Sequence, residues 1–129
     1  MDIENKGKPF YCDSLISESS IPDEFALVSK NGTYEAKIQM DGNFVVYKHP
    51  ENKALWNSKT CGKGAAPYCL KMQNDGNIVI YDGRNSAIWS SGTVGKGEPP
   101  YKLVMLDDGN LVMKDSKELI YWGSWTKQN

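Results

Sequence analysis

Apolar and polar residues alternate one for one along three stretches of this chain. In the first, Tyr34, Ala36, Ile38 and Met40 interleave with Glu35, Lys37 and Gln39, and after Asp41-Gly42-Asn43 the chain resumes as Phe44-Val45-Val46-Tyr47. A period of two marks a strand with one buried face, and Asp-Gly between two such runs marks a hairpin. The phrase returns as MQNDGNIVIY (72–81) and MLDDGNLVMK (105–114).

The parity of the turn can be reasoned from the same pattern. A two-residue loop, Asp41-Gly42, would oppose Met40 with Asn43 and mix polar with apolar residues on each face. A three-residue loop, Asp41-Gly42-Asn43, opposes Met40 with Phe44 and puts Ile38, Met40, Phe44 and Val46 on one apolar face. Gln39, Val45 and Tyr47 then share the outer face, with Val45 exposed between the other two. Asn43 would supply the left-handed residue of such a loop. The other copies give inner faces of Tyr68, Leu70, Met72, Ile78 and Ile80, and of Tyr101, Leu103, Met105, Leu111 and Met113. Asn74 and Asp107 interrupt the pattern beside the turn.

The repetition organises the whole chain. Trp56, Trp89 and Trp122 recur at a fixed interval of 33 residues, each preceded by a large side chain (Leu55, Ile88, Tyr121) and followed by a short polar stretch. A third strand per copy therefore carries the tryptophan, as a packing residue of the core or its edge. Phe25–Val28 would add a fourth strand to the first copy, and segment 10–21 would close the body against the third. The Gly-, Pro- and Lys-rich stretches 59–67 and 92–100 link the units. We expect one domain over 1–129, all-β, with tandem repeats at about 25–58, 59–91 and 92–124. One small sheet cannot bury its apolar face alone, but three arranged about an axis can.

Composition narrows the functional classes. With 129 residues, 15 basic and 16 acidic side chains and a formal charge of −1, the chain lacks the positive field a nucleic acid requires. The opening MDIENKGKPF has no apolar core of a signal peptide, and no 18-residue apolar run is present, so no membrane insertion is expected. The expected location is the cytoplasm, or outside the cell by a non-classical route. Cys61 and Cys69 could close a small loop in an oxidising compartment, leaving Cys12; in a reducing one all three stay thiols.

The chemistry lies on the outward face of the hairpins. Turn geometry accounts for Asp41 and Asn43, but does not call for Gln39, Val45 or Tyr47. Together the five offer amide, carboxylate, amide, a methyl floor and a phenol rim. Vicinal hydroxyls of a pyranose each donate and accept, which suits such a cup, and valine methyls suit ring C–H groups. Calcium is disfavoured, because each copy brings one reliable carboxylate and two neutral amides. No metal or cofactor is expected. Glycoside hydrolysis needs two facing carboxylates, whereas these stand one per unit, so no enzyme is expected.

Gln39-x-Asp41-x-Asn43-x-Val45-x-Tyr47 resembles the QxDxNxVxY motif of the bulb-type mannose-binding lectins, and Gln73, Asp75, Asn77, Val79 and Tyr81 repeat it in full. The resemblance runs over roughly 15–125. It implies a β-prism II fold, with three antiparallel sheets around a pseudo-threefold axis, and metal-independent binding of mannose or high-mannose glycans. It further implies that Gln39 and Gln73 meet the 3-hydroxyl, that Asp41, Asp75, Asn43 and Asn77 hold the axial 2-hydroxyl, and that Tyr47 and Tyr81 reach the 4-hydroxyl. Val45 and Val79 would touch the ring.

The third copy departs from the motif. Asp108, Asn110 and Val112 are kept, but Leu106 replaces Gln and Lys114 replaces Tyr. Two working sites and one impaired site are therefore expected. The family's usual cysteine inside the first motif is Gly42 here, which leaves the bridge between Cys61 and Cys69 open. Family members commonly dimerise by exchanging C-terminal strands, and 117–127 is apolar enough for a homodimer; otherwise Trp125 would cover the monomer's own core. A non-lectin interaction or structural module on the same scaffold is the alternative reading.

Overall fold

The computed structural model describes residues 12–128, so Phe10 and Tyr11 of the expected closing segment lie outside the described residues. Among the described residues, twelve short strands make three four-stranded antiparallel sheets. The first contains β3 (Ala26–Val28), β4 (Tyr34–Ile38), β5 (Phe44–Lys48) and β6 (Lys53–Asn57) in that order. The second sets β2 (Ser19–Pro22) beside β7 (Cys69–Met72), β8 (Ile78–Tyr81) and β9 (Ala87–Ser90). The third sets β1 (Ser14–Ile16) beside β10 (Lys102–Met105), β11 (Leu111–Lys114) and β12 (Ile120–Gly123). The segment before residue 23 thus supplies the fourth strand of two different sheets.

Face assignment follows the alternation, with one correction. Ile38 opposes Phe44, Met72 opposes Ile78 and Met105 opposes Leu111. Each inner-face residue named above is buried except Met40, which is 65% exposed. The loop does have three residues, but they are 40–42, closed by Gly42 N–H donating to the Gln39 carbonyl (3.0 Å) and Gln39 N–H to that of Asn43 (2.9 Å). Gly42, at φ 91°, takes the left-handed position, so Asn43 does not. Moving the loop by one residue shifts the pairing by two, which preserves every face and lifts Met40 into the turn beside its counterparts Asn74 and Asp107.

The three inner faces meet in one core, and the tryptophans pin its axis. Trp56, Trp89 and Trp122 contact one another edge to face, with ring centroids 5.4–5.9 Å apart. A β-bulge between the second and third hairpin strands recurs in every sheet, at Val46/Tyr47, Ile80/Tyr81 and Met113/Lys114. It absorbs the extra large residue before each tryptophan.

The turns also lock the sheets together. A Cβ on Gly42 would stand 2.8 Å from Tyr68 Cζ, one on Gly76 3.1 Å from the Tyr101 hydroxyl, and one on Gly109 3.0 Å from Tyr34 Cε1. Each turn therefore seats the next unit's tyrosine, and the third returns to the first. The glycine of Asp-Gly serves both backbone conformation and close packing between units.

Candidate functional site

Gln39 and Tyr47 come from opposite ends of the β4–β5 hairpin and converge on its outer face. The Gln39 amide donates from Nε2 to both Asp41 carboxylate oxygens (3.3 and 3.2 Å), while its Oε1 accepts from the Tyr47 hydroxyl. The second hairpin reproduces the arrangement: Gln73 Nε2 donates to Asp75 at 3.2 Å, and Gln73 Oε1 accepts from Tyr81. Burial, reinforced by the Asp41 carboxylate, pushes the Tyr47 phenol above its ordinary pKa, so it remains a hydroxyl donor at neutral pH. Among the described residues no three His, Cys, Asp or Glu side chains cluster as metal ligands.

Asn43 occupies the cup only in part. Its Oδ1 accepts from Thr60 N–H (3.2 Å) and Ser58 Oγ (3.3 Å), while Thr60 Oγ1 donates to the Gly42 carbonyl at 2.6 Å. Asn77 meets Ser91 and Thr93 in the same way, and Asn110 meets Ser124 and Thr126. The Ser-x-Thr pairs, two and four residues after each tryptophan, escaped the sequence reading as a unit, although their 33-residue recurrence was there to find. They tie the hairpin turn to the third strand and leave the Asn amide's N–H groups as its free donors.

Val45 and Val79 are not exposed as expected. Each is only 3% exposed, because β5 and β8 are inner strands. Lys37 and Asn57 flank Val45, while Lys71 and Ser90 flank Val79. The valines form a floor beneath longer side chains. Two glutamates that the repeat does not reveal brace those side chains. Glu24 accepts from Met40 N–H (2.8 Å) and pairs with Lys37 (3.4 Å); Glu18 accepts from Asn74 N–H (2.6 Å) and pairs with Lys71 (3.5 Å).

The two cups have different rims. The first opens into a cleft of about 560 Å³ that includes Glu35 and His49. The His49 ring stacks on Tyr47 with centroids 6.4 Å apart, and its Nε2 lies 3.3 Å from Glu35 Oε1. Cys61 Sγ donates to Asp41 Oδ2 at 3.5 Å, and that bond raises the thiol's pKa. The cleft beside Tyr81 is smaller, about 430 Å³, with Cys69 at its edge. Cys12, Cys61 and Cys69 are all free thiols.

The third hairpin keeps the turn and loses the cup. Asp108 Oδ1 accepts from Asn110 N–H at 2.9 Å, as Asp41 does from Asn43. Leu106 offers no amide, and Lys114 turns to Glu118 at 3.7 Å. Trp125 is 71% exposed and so does not cover the core.

Comparison with known proteins places this architecture. The model of the D-mannose binding lectin family matches residues 63–129, just over half of the chain. The chain belongs to the D-mannose binding lectin family. Its fold is the β-prism II of these lectins. A monomeric monocot mannose-binding lectin from Gastrodia elata superposes with a TM-score of 0.81 at 37% identity, covering 89% of this chain and 98% of that one. The snowdrop (Galanthus nivalis) mannose-specific agglutinin, solved with methyl-α-D-mannoside, gives 0.73 at 28% identity over 91% of this chain and 99% of that one. Among curated relatives, a B-type lectin from the fish Scorpaena plumieri is 45% identical over 58 residues, 45% of this chain and 47% of its own length. A mimivirus lectin is 40% identical over 55 residues, 43% of this chain and 28% of its own length. The matched stretch thus spans less than half the length of either curated relative.

Proposed function

We propose that this chain binds mannose and mannosylated glycans without a metal ion, through two intact cups, and that the third hairpin is impaired. The observation that carries the reading is the Tyr–Gln–Asp chain of hydrogen bonds, present at residues 47, 39 and 41 and again at 81, 73 and 75. Each link holds a polar group in place before a ligand arrives, which lowers the ordering cost of binding. A carboxylate, a glutamine amide, a free asparagine N–H and a phenol then surround one side of a hexose. A sugar with one hydroxyl reversed leaves a partner unmet, at a cost of about 1–3 kcal/mol.

Catalysis has no support in this arrangement. The two cup carboxylates lie on different sheets and so do not face each other across a common bond. A single shallow site at millimolar affinity corresponds to about 4 kcal/mol, so useful retention on a glycan surface comes from both cups engaging together.

Retention on immobilised mannan, with chelator present, tests the reading. The native chain should be held and released by methyl α-mannoside. Asp41→Asn combined with Asp75→Asn should pass through. Retention that survives the double substitution, or that needs added calcium, would remove these cups from the account.

A further inference from the structure

The two cups share a polar set but not their surroundings. Glu35 stands opposite Tyr47 on the neighbouring strand, whereas Cys69 stands opposite Tyr81. The connectors that follow the tyrosines differ as well. The stretch from Tyr47 to Trp56 is one residue longer than that from Tyr81 to Trp89. In the second and third units a buried aspartate directly follows the hairpin and turns inward. Asp82 accepts from the Arg84 and Ser86 amides (3.0 and 2.9 Å), and Asp115 from those of Lys117 and Leu119 (2.9 and 3.0 Å). The first connector has no such aspartate. His49 N–H donates to the Thr33 carbonyl (2.7 Å) instead, and its ring lies against Tyr47.

The result is a long cleft on the first sheet alone. It runs from Asp41 and Gln39 at the turn, past Tyr47, to Glu35, His49 and Asn52. Glu35 and Gln39 lie four residues apart along β4 and its end, so the cleft is about 13 Å long. A single hexose fills less than half of that length. What lies beyond it is polar and already in position. Glu35 Oε1 and His49 Nε2 are 3.3 Å apart, yet these side chains remain 24% and 33% exposed. The carboxylate has acceptor capacity for vicinal hydroxyls, the Asn52 amide can donate and accept, and the imidazole offers a flat face to ring C–H groups.

We propose that the first cup is the inner half of a two-hexose site, that Glu35, His49 and Asn52 form its outer half, and that the second cup takes one hexose. This rests on the cup reading above and adds a ligand class to it, a neutral dimannoside. Neutrality follows from the lining. Glu24, Glu35 and Asp41 face Lys37, which Glu24 already pairs, so an anionic second sugar is repelled. The Tyr47–His49 stack joins the two halves and fixes both before a ligand arrives, which lowers the ordering cost of the second ring. At the second cup the cleft shrinks from about 560 to about 430 Å³, and Cys69 stands where the carboxylate would be.

The side-chain amides of Gln39 and Gln73 report the two cups separately in one NMR sample of the full chain. Titrations compare methyl α-mannoside with the 1→3- and 1→6-linked dimannosides. At least one dimannoside should bind the first cup about tenfold or more tighter than the monosaccharide does. That gain should be confined to the first cup. Glu35→Ala and His49→Ala should each lower the ratio of dimannoside to monosaccharide affinity at Gln39, with the ratio at Gln73 as the control in the same sample. Equal ratios at the two cups would overturn the proposal, as would a first-cup ratio that both substitutions leave unchanged. A chain in which no mannoside shifts either glutamine would instead overturn the cups themselves, and this extension with them.

Discussion

Gln39→Leu would write the third hairpin's residue, Leu106, into the first cup. It removes the Nε2 donor held 3.2–3.3 Å from the Asp41 carboxylate and the Oε1 that accepts from Tyr47. Hydrogen bonds to a charged group contribute about 1.5–3 kcal/mol each, so losing one that positions the carboxylate weakens the site about 10–150-fold. From a millimolar start this leaves nothing measurable at the first cup. The second cup sits on another sheet with its own glutamine, and distant sites act independently. Isothermal or NMR titration with methyl α-mannoside should therefore show one occupied site per chain where the native chain shows two, with the surviving affinity unchanged. These side chains lie at the surface, so unfolding free energy should move by no more than about 0.5 kcal/mol. Undiminished occupancy of the first cup in Gln39→Leu would refute the reasoning, because the glutamine bridge would then be incidental.

Four further outcomes follow from the same geometry. Gly42→Ala should destabilise the fold by about 2–4 kcal/mol, combining left-handed strain with the 2.8 Å clash on Tyr68, whereas Gly62→Ala, also left-handed but with nothing within 4 Å, should cost only about 1 kcal/mol; denaturant melts compare them. Thr60→Val removes the buried bond to the Gly42 carbonyl and should cost about 1–3 kcal/mol on the same assay. Asp82 has its carboxyl held below the usual range by the Ser86, Ala65 and Arg84 amides; in Asp115 the Leu119, Glu98 and Lys117 amides outweigh the opposing effect of burial. Their contribution is present above the ordinary aspartate pKa and lost as pH falls through the depressed ones, so melts below about pH 4 should show a steep loss that Asp82→Asn flattens. The Cys61 thiol, raised by its bond to Asp41, should alkylate slowly at pH 8 and faster in Asp41→Asn; equal rates would contradict that contact.

The fold was legible because period-two alternation fixes faces without fixing register. Ile38, Met72 and Met105 could be assigned to the core from parity alone, and the triplicated tryptophan implied a shared axis. The exact loop was not legible, since loops at 40–42 and 41–43 give identical faces; only Met40's exposure separates them. Of the cup, Gln39, Asp41 and Tyr47 could be read from spacing, because no turn requires the outer pair. Val45 was misjudged, since an inner strand is covered by its neighbours' side chains even on the outer face. Glu18 and Glu24 could not be found, because they reach the cups from segments outside the repeat. For Trp125 the sequence allowed either a homodimer contact or cover for the monomer's core; its 71% exposure excludes the second, which the sequence could not show because the glycine beneath it, Gly123, carries no signal of its own.

The central claim is that two hairpins, and not the third, present a prearranged cup to mannose. A two-dimensional NMR titration that follows the side-chain amides of Gln39, Gln73 and Asn110 in the presence of chelator tests it most directly. Methyl α-mannoside should shift the two glutamine amides and leave Asn110 still, and methyl α-galactoside should move none of them. Equal shifts with both sugars, or mannoside shifts centred on Asn110, would contradict the account.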